Sequence, residues 1–150
     1  VALNAAGVKW RAHAYKHDPK ATSYGLEAAA ALGVEVSAVF KTLIADVEGV
    51  GLVVGIVPVA MLLDLKALAN AAGGKRAEMT PPLVAERSSG YVVGGISPIG
   101  QRKALPTYLD ESAVLLESIF VSGGKRGFDI ELAPDDLLAV TSGEYAAIAR

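Results

Sequence analysis

A lysine inside an apolar run is the first residue whose type and setting suggest chemistry. Lys41 stands in Val39-Phe40-Lys41-Thr42-Leu43-Ile44. A lysine so placed has two readings. It snorkels at a sheet edge, its stem on apolar neighbours and its ammonium in water. Or it is a cation held at a pocket wall, where it stabilises negative charge building on an acyl oxygen. A second stretch, YVVGGISPIGQRK, runs from Tyr91 to Lys103. Gly94 and Gly95 permit backbone conformations closed to other residues and let another group approach the main chain. Pro98 fixes its own φ and biases Ser97 away from the helical region. A rigid, non-helical loop with exposed amide N–H groups is predicted, serving either as a tight connection between strands or as a ligand-holding loop. The third stretch is a hairpin over 118–132. With its turn centred on Lys125, Ser122 lies opposite Asp129, and the two are either a polar pair or part of a solvated hairpin end. At the tip, Lys125 and Arg126 either touch phosphates or keep a turn soluble.

No convincing nucleophile accompanies these groups. Ser97 lies in Gly95-Ile96-Ser97-Pro98-Ile99-Gly100, which superficially suggests a nucleophile loop. A nucleophile elbow needs G-x-S-x-G and an N–H on the residue after the serine. Here that residue is Pro98, which has none, and the spacing is wrong. No G-x-x-x-x-G-K-[ST] exists, so Gly94-Gly95 is not a phosphate loop of the Walker type. His13 and His17 are four apart, a metal-binding spacing on a helix. Residues 8–16 alternate as a strand, however, and no third ligand recurs at a matching spacing, so exposed histidines near a turn fit better. The chain has no cysteine, which excludes disulfides, thiolate catalysis by the protein and cysteine-ligated zinc. No metal and no cofactor is expected. Donors and a cation without a nucleophile suit an enzyme that holds an activated substrate and lets water, or the substrate itself, attack.

The elements that must position these groups follow from the pattern. The 150 residues, 52% hydrophobic and 20% charged, fit one globular domain over 1–150. Residues 1–6 read as a helix tail stopped at Gly7. Val8 to Lys16 alternates as a half-buried strand, with Val8, Trp10, Ala12 and Ala14 inward. Thr22-Ser23 offers an N-cap for a helix from Tyr24 to Leu32, stopped at Gly33. Strands are predicted over Phe40–Val47 and Gly51–Val57, the latter so apolar that both its faces should be covered. Asp64 caps a helix from Leu65 to Ala72, ended by Gly73-Gly74. A short strand over Lys75–Met79 precedes a helix capped by Thr80, with Pro81 at its first position, running to about Arg87. Strands over Pro106–Asp110, Ser118–Ser122 and Phe128–Leu132 follow, with a turn over Gly123–Gly127. A helix then runs from Pro134 to about Val140, and Tyr145–Ala149 is either strand or helix. Hairpins over 40–57 and 118–132 are antiparallel by their short turns, so the expected fold is α+β, a mixed, mostly antiparallel barrel-like sheet flanked by helices.

Charge and hydropathy narrow the partners. Net charge is −2, whereas a protein gripping a long nucleic-acid duplex is usually basic. Any nucleic-acid contact is therefore expected to be local, to an end or a few phosphates; DNA is not an expected partner. No apolar run reaches the roughly 18 residues of a membrane span, and the first residues do not read as a secretory signal. Neither a membrane partner nor export is expected, and the cytoplasm is the expected location.

The 91–103 stretch resembles the signature of the YbaK/EbsC family, the YbaK/aminoacyl-tRNA synthetase-associated domain. Three further segments agree in order: HAYKHD from His13 to Asp18, FKTL from Phe40 to Leu43, and FVSGGKRGFDIEL from Phe120 to Leu132. The resemblance covers nearly the whole chain and is strongest to the freestanding Cys-tRNA(Pro) deacylase branch. It implies a mixed, mostly antiparallel β-barrel with surrounding helices. It implies editing in trans, the cleavage of the ester between a mischarged amino acid and the tRNA 3′ end. Lys41 matches the family's essential lysine, and Tyr15, Gly94, Ser122 and Asp129 match positions lining its substrate pocket. The glycine loop, through Gly94, Gly95, Ile96 and Ser97, is the expected site for the aminoacyl carbonyl and terminal ribose. In this branch the thiol of the cysteine being removed attacks its own carbonyl, releasing tRNA and a cyclic thiolactone, which suits the missing nucleophile. The implied partners are the acceptor end of mischarged tRNA(Pro) and prolyl-tRNA synthetase. Leu26 departs from the pattern, which commonly has an acidic residue there. Two other functions stay open: deacylation of another small amino acid such as alanine, and a non-catalytic module that binds tRNA or a synthetase.

Overall fold

The computed structural model describes residues 7–16, 24–93 and 95–150. The expected helix tail over 1–6, His17, the Thr22-Ser23 cap and Gly94 lie outside the described residues. Strand β1 (Trp10–Ala14) is followed by helix α1 (Tyr24–Leu32), a 3-10 turn over Val36–Ala38, and strands β2 (Phe40–Val47) and β3 (Gly51–Pro58). Next come α2 (Leu65–Ala72), β4 (Ala77–Met79), α3 (Pro82–Ser89), β5 (Thr107–Asp110) and a 3-10 turn over Glu111–Leu115. The chain continues with β6 (Ile119–Lys125), β7 (Phe128–Leu132), α4 (Pro134–Thr141) and β8 (Glu144–Ala146). The last segment, ambiguous by pattern, is thus a strand. Among the described residues no helix is long and apolar enough to cross a membrane.

The α+β reading holds, but the barrel does not close. One sheet has the order β1-β7-β6 and is antiparallel throughout. The other has the order β4-β2-β3-β5-β8, with β3–β5 and β5–β8 parallel. A parallel bridge between Val39 and Phe120 joins them. The gap has a local cause. On one side β2 pairs with β3 along its whole length, whereas β4 covers only Ala45 to Val47 on the other. Just after β4, Thr80 donates through both its N–H and its Oγ1 to the Ile44 carbonyl. Pro81 and Pro82 have no N–H to extend the ladder. The edge of β2 from Phe40 to Ile44 is left open. Thr80 therefore does not cap α3 as expected: Pro81 holds the cap position and Pro82 the first turn.

Packing bears out the two-sided burial of β3. Val54 and Ile56 join a core with Ile44, Leu109, Ile119 and Leu132. Val53 and Val57 join another with Val47, Leu68 and Ile148. Each such side chain contributes roughly 1.5–3 kcal/mol of transfer free energy, so this strand anchors β2 and with it Lys41. Asp64 caps α2 by accepting from the Ala67 N–H at 3.0 Å, and Gly73 ends that helix in the left-handed region.

Strand β1 departs from its expected faces. Val8 and Trp10 pack on the main core, but Ala12 and Ala14 are exposed while His13 and Tyr15 are half-buried. β1 is an edge strand whose other face is also covered, by a small cluster of Ala28, Ala29, Val39 and Phe120 against which Tyr15 packs. Alanine methyls have little area to bury, so the larger rings take the inward positions. His13 is not the free surface histidine expected. It bonds Glu131 through Nε2 at 3.0 Å, and its ring centroid lies 5.3 Å from that of Phe120.

Candidate active site

A cavity of about 380 Å³ opens where β2 loses its neighbour. Phe40 to Ile44 form one wall, and Tyr15, Ser122 and Asp129 from the other sheet face it. The loop after α3 contributes Val93 and Ile96, and the hairpin tip contributes Lys125 and Arg126. Of the residues singled out from sequence, the structure brings Lys41, Tyr15, Ile96, Ser122 and Asp129 together. Gly94 lies outside the described residues, and Gly95 and Ser97 do not line the cavity.

The hairpin explains why Ser122 and Asp129 meet. They are partners in register, as expected, but not through a turn centred on Lys125. β6 continues to Lys125, which pairs with Phe128, and the register shifts between Ser122 and Lys125. Gly123 and Gly124 are the bulged residues, so the turn shrinks to Arg126-Gly127. Ser122 and Asp129 do not form the polar pair. The Ser122 hydroxyl accepts from the Gly124 N–H at 3.2 Å and so fixes the bulge. Among the described residues the Asp129 carboxylate has no hydrogen-bond partner, although it is only 6% exposed. Burial pushes its pKa up to about 6, and His13 opposes the rise. Burial also raises the Tyr15 hydroxyl, helped by the Asp129 charge. The backbone bond from Tyr15 N–H to the Gly127 carbonyl, 2.9 Å, holds that ring beside the hairpin.

Lys41 is half-buried, and burial lowers its pKa. Among the described residues no carboxylate pairs with it. Its place on the cavity wall matches the pocket reading. Its neighbour Thr42 was not singled out by the sequence. Thr42 also lines the cavity, and its Oγ1 is buried without a partner. A buried, unmade hydroxyl costs about 1–3 kcal/mol, so Thr42→Val is expected to raise the unfolding free energy by about 1 kcal/mol or more. Urea denaturation of the two proteins checks this; a destabilised valine variant would mean the hydroxyl has a partner.

The loop is non-helical, as its sequence suggests, but Gly95 meets protein. The Arg126 Nη2 donates to the Val93 carbonyl at 3.0 Å. A Cβ on Gly95 would come 2.8 Å from Lys125 Cα, and one on Gly124 would come 2.9 Å from the Tyr91 ring. Gly95 and Gly124 therefore let loop and hairpin backbones touch. The Gly95 N–H donates to the Val92 carbonyl at 2.9 Å, so it is not a free donor for an ester. Ser97 turns inward, 1% exposed, and its Oγ accepts from the Ile99 N–H at 3.2 Å. It staples the turn over Pro98. The Tyr91 hydroxyl donates to the Ile99 carbonyl at 2.6 Å and closes the loop. Lys125 and Arg126, weighed only as phosphate contacts or solubilising charges, thus also clamp the loop and line the cavity. Sequence spacing carries no signal for a contact between residues about 30 apart.

Among the described residues no group of three or more His, Asp or Glu side chains is placed to hold a metal ion. Chemically, the arrangement offers three cations, a carboxylate and hydroxyls around an apolar cavity, with no activated nucleophile among them.

Residues 17–140 match the family described as aminoacyl-tRNA editing domain. A protein of Enterococcus faecalis (strain ATCC 700802 / V583), provisionally named the Cys-tRNA(Pro)/Cys-tRNA(Cys) deacylase EbsC, is 47% identical over 120 residues. That alignment spans 80% of this chain and 73% of the relative. A crystal structure described provisionally as a trans-editing enzyme for prolyl tRNA synthetase superposes with a TM-score of 0.84 at 28% identity. It covers 99% of this chain and 92% of the other.

Proposed function

The chain belongs to the aminoacyl-tRNA editing domain family, and from that premise we propose that it is a deacylase that removes cysteine from mischarged tRNA(Pro), and from tRNA(Cys) as well. The observation that carries this reading is a small cavity holding Lys41 and Asp129 but no activated nucleophile of the protein's own. Asp129 is the natural partner for the α-ammonium of an aminoacyl ester. Lys41 meets the carbonyl oxygen and stabilises the charge that grows on it during attack. Ile96 and Val93 close the apolar side of the cavity around the ester.

The substrate supplies the missing group. Its thiol sulfur bonds to its own carbonyl carbon, the ester bond to the ribose oxygen breaks, and the thiol proton ends on that oxygen. The products are tRNA and a thiolactone, with no cofactor consumed. Such a reaction also solves a selection problem. A cavity distinguishes amino acids of similar bulk by only one to two orders of magnitude, whereas alanine has no thiol with which to react. We place the reaction on the acceptor end alone, in the cytoplasm, with residues 1–150 acting as one editing domain and prolyl-tRNA synthetase as its partner.

Deacylation of Cys-, Ala- and Ser-charged tRNA(Pro) tests the proposal. Loss of radiolabelled cysteine is expected to exceed loss of alanine or serine by at least about 100-fold. Alkylating the substrate thiol is expected to stop cleavage. Release of alanine at a similar rate would favour a small-residue deacylase, and tRNA binding without turnover would favour an adaptor.

A further inference from the structure

A polar chain runs behind the cavity along one face of the antiparallel sheet. His13 on β1 is the register partner of Asp129 on β7, so the two side chains project from the same face. The His13 Nε2 donates to Glu131 Oε1 at 3.0 Å. The Ser118 hydroxyl donates to the other oxygen, Glu131 Oε2, at 2.6 Å. The His13 ring rests against Phe120. The tilted ring contact with Phe120 and the hydrogen bond to Glu131 hold the imidazole on the face it shares with Asp129. Glu131 itself is held below the usual carboxylate range, first by the Ser118 hydrogen bond and then by His13.

We propose that His13, braced by Glu131 and Ser118, is a positioning residue that keeps the Asp129 carboxylate charged inside the cavity. The inference rests on the reading of Asp129 as the site of the substrate ammonium. Other groups face Asp129 too. Tyr15, just after β1, and Ser122 from β6 are neutral. Lys41 from β2, Lys125 from β6 and Arg126 from the turn are cations lining the same cavity. Glu131 on β7 and Glu27 on α1 are anions; Glu131 is engaged by His13 and Ser118, and Glu27 bears on Tyr15. The charge of His13 offsets the burial of Asp129. A histidine does this conditionally, since its contribution exists only when the ring is protonated.

The test needs no substrate at first. Carbon-detected NMR titration of the Asp129 carboxyl in the ligand-free protein is expected to show a midpoint of about 6 in the wild type. In His13→Gln, which keeps a hydrogen bond to Glu131 but no charge, the midpoint is expected to rise by roughly half a unit or more. In His13→Lys it is expected to stay at or below the wild-type value. Identical midpoints in all three proteins, or equal rises in both variants, would overturn the proposal. A kinetic arm then reads the consequence. His13→Gln is expected to lose about twofold in kcat/KM at pH 6 and nothing at pH 8, whereas an equal loss at both would indicate a merely structural histidine. Loss of the deacylase reading would leave the ligand-free titration standing, so the two failures are distinguishable.

Discussion

Lys41→Ala is expected to slow deacylation of Cys-tRNA(Pro) by about 100-fold or more, the scale of removing one preorganised charge donor at an acyl oxygen. The side chain satisfies the conditions for such a role. It is anchored on β2, whose partner β3 is buried on both faces, so the ammonium position is held by the core. It is desolvated, which strengthens its field at the ester and lowers its pKa. Among the described residues no carboxylate neutralises it in the free protein. On the proposed reading, the resting state keeps this cation where an oxyanion would form. Stability should not fall with the substitution, because alanine removes a partly buried charge that has no partner to orphan. Thermal melts alongside single-turnover rates separate the two effects. Lys41→Arg is not expected to restore the rate, since the planar guanidinium is larger and reaches a different point. Equal rates for wild type and Lys41→Ala would remove Lys41 from the reaction.

The legibility of this site divides along a physical line. Local pattern reaches whatever local pattern causes. The bounds of β2, β7, α1 and α2 agree with the expected ones, because apolar periodicity, the Asp64 cap and left-handed glycines act within a few residues. The facing of Ser122 and Asp129 was also legible, although the bulge beside them was not. A bulge over Gly123 and Gly124 with a tighter turn places the same residues opposite as a longer turn would. The sequence could not show which surface each glycine meets. Gly95 reads equally well as room for a ligand and as room for a backbone, and it is the Lys125 backbone that arrives. The open edge of β2, which creates the cavity, depends on Thr80 capturing the Ile44 carbonyl from 36 residues away. His13 was misread for the same reason: its strand alternates correctly, but which face is covered is decided by Phe120 and the cluster beneath α1.

Asp129→Asn separates function from stability more sharply than any other substitution in the cavity. The carboxyl moves from an ordinary 3.8 to about 6 because it is buried. A carboxyl raised on folding penalises the native state above that value. Below 3.8 both states are protonated and nothing is lost; between 3.8 and 6 the unfolded chain ionises first and stability falls; above 6 the penalty is complete. A shift of this size corresponds to about 3 kcal/mol. Asparagine removes the charge but leaves an amide with few partners, so a net gain of about 1–2 kcal/mol at pH 8 is expected, fading as the pH approaches 4. Urea denaturation at the two pH values checks the sign. A variant less stable than wild type at pH 8 would show that the native carboxylate is held by a partner. Activity should move the other way. Losing a charged contact to the substrate ammonium is expected to lower kcat/KM for Cys-tRNA(Pro) by about 10- to 100-fold. An N-acetylated cysteinyl-tRNA offers no ammonium, so wild type and Asp129→Asn are expected to cleave it at similar rates. If the variant loses as much on the acetylated substrate, Asp129 acts on another part of the ester. If it loses only on the free amine, the instability stored at this buried carboxylate is the cost of recognising an aminoacyl group.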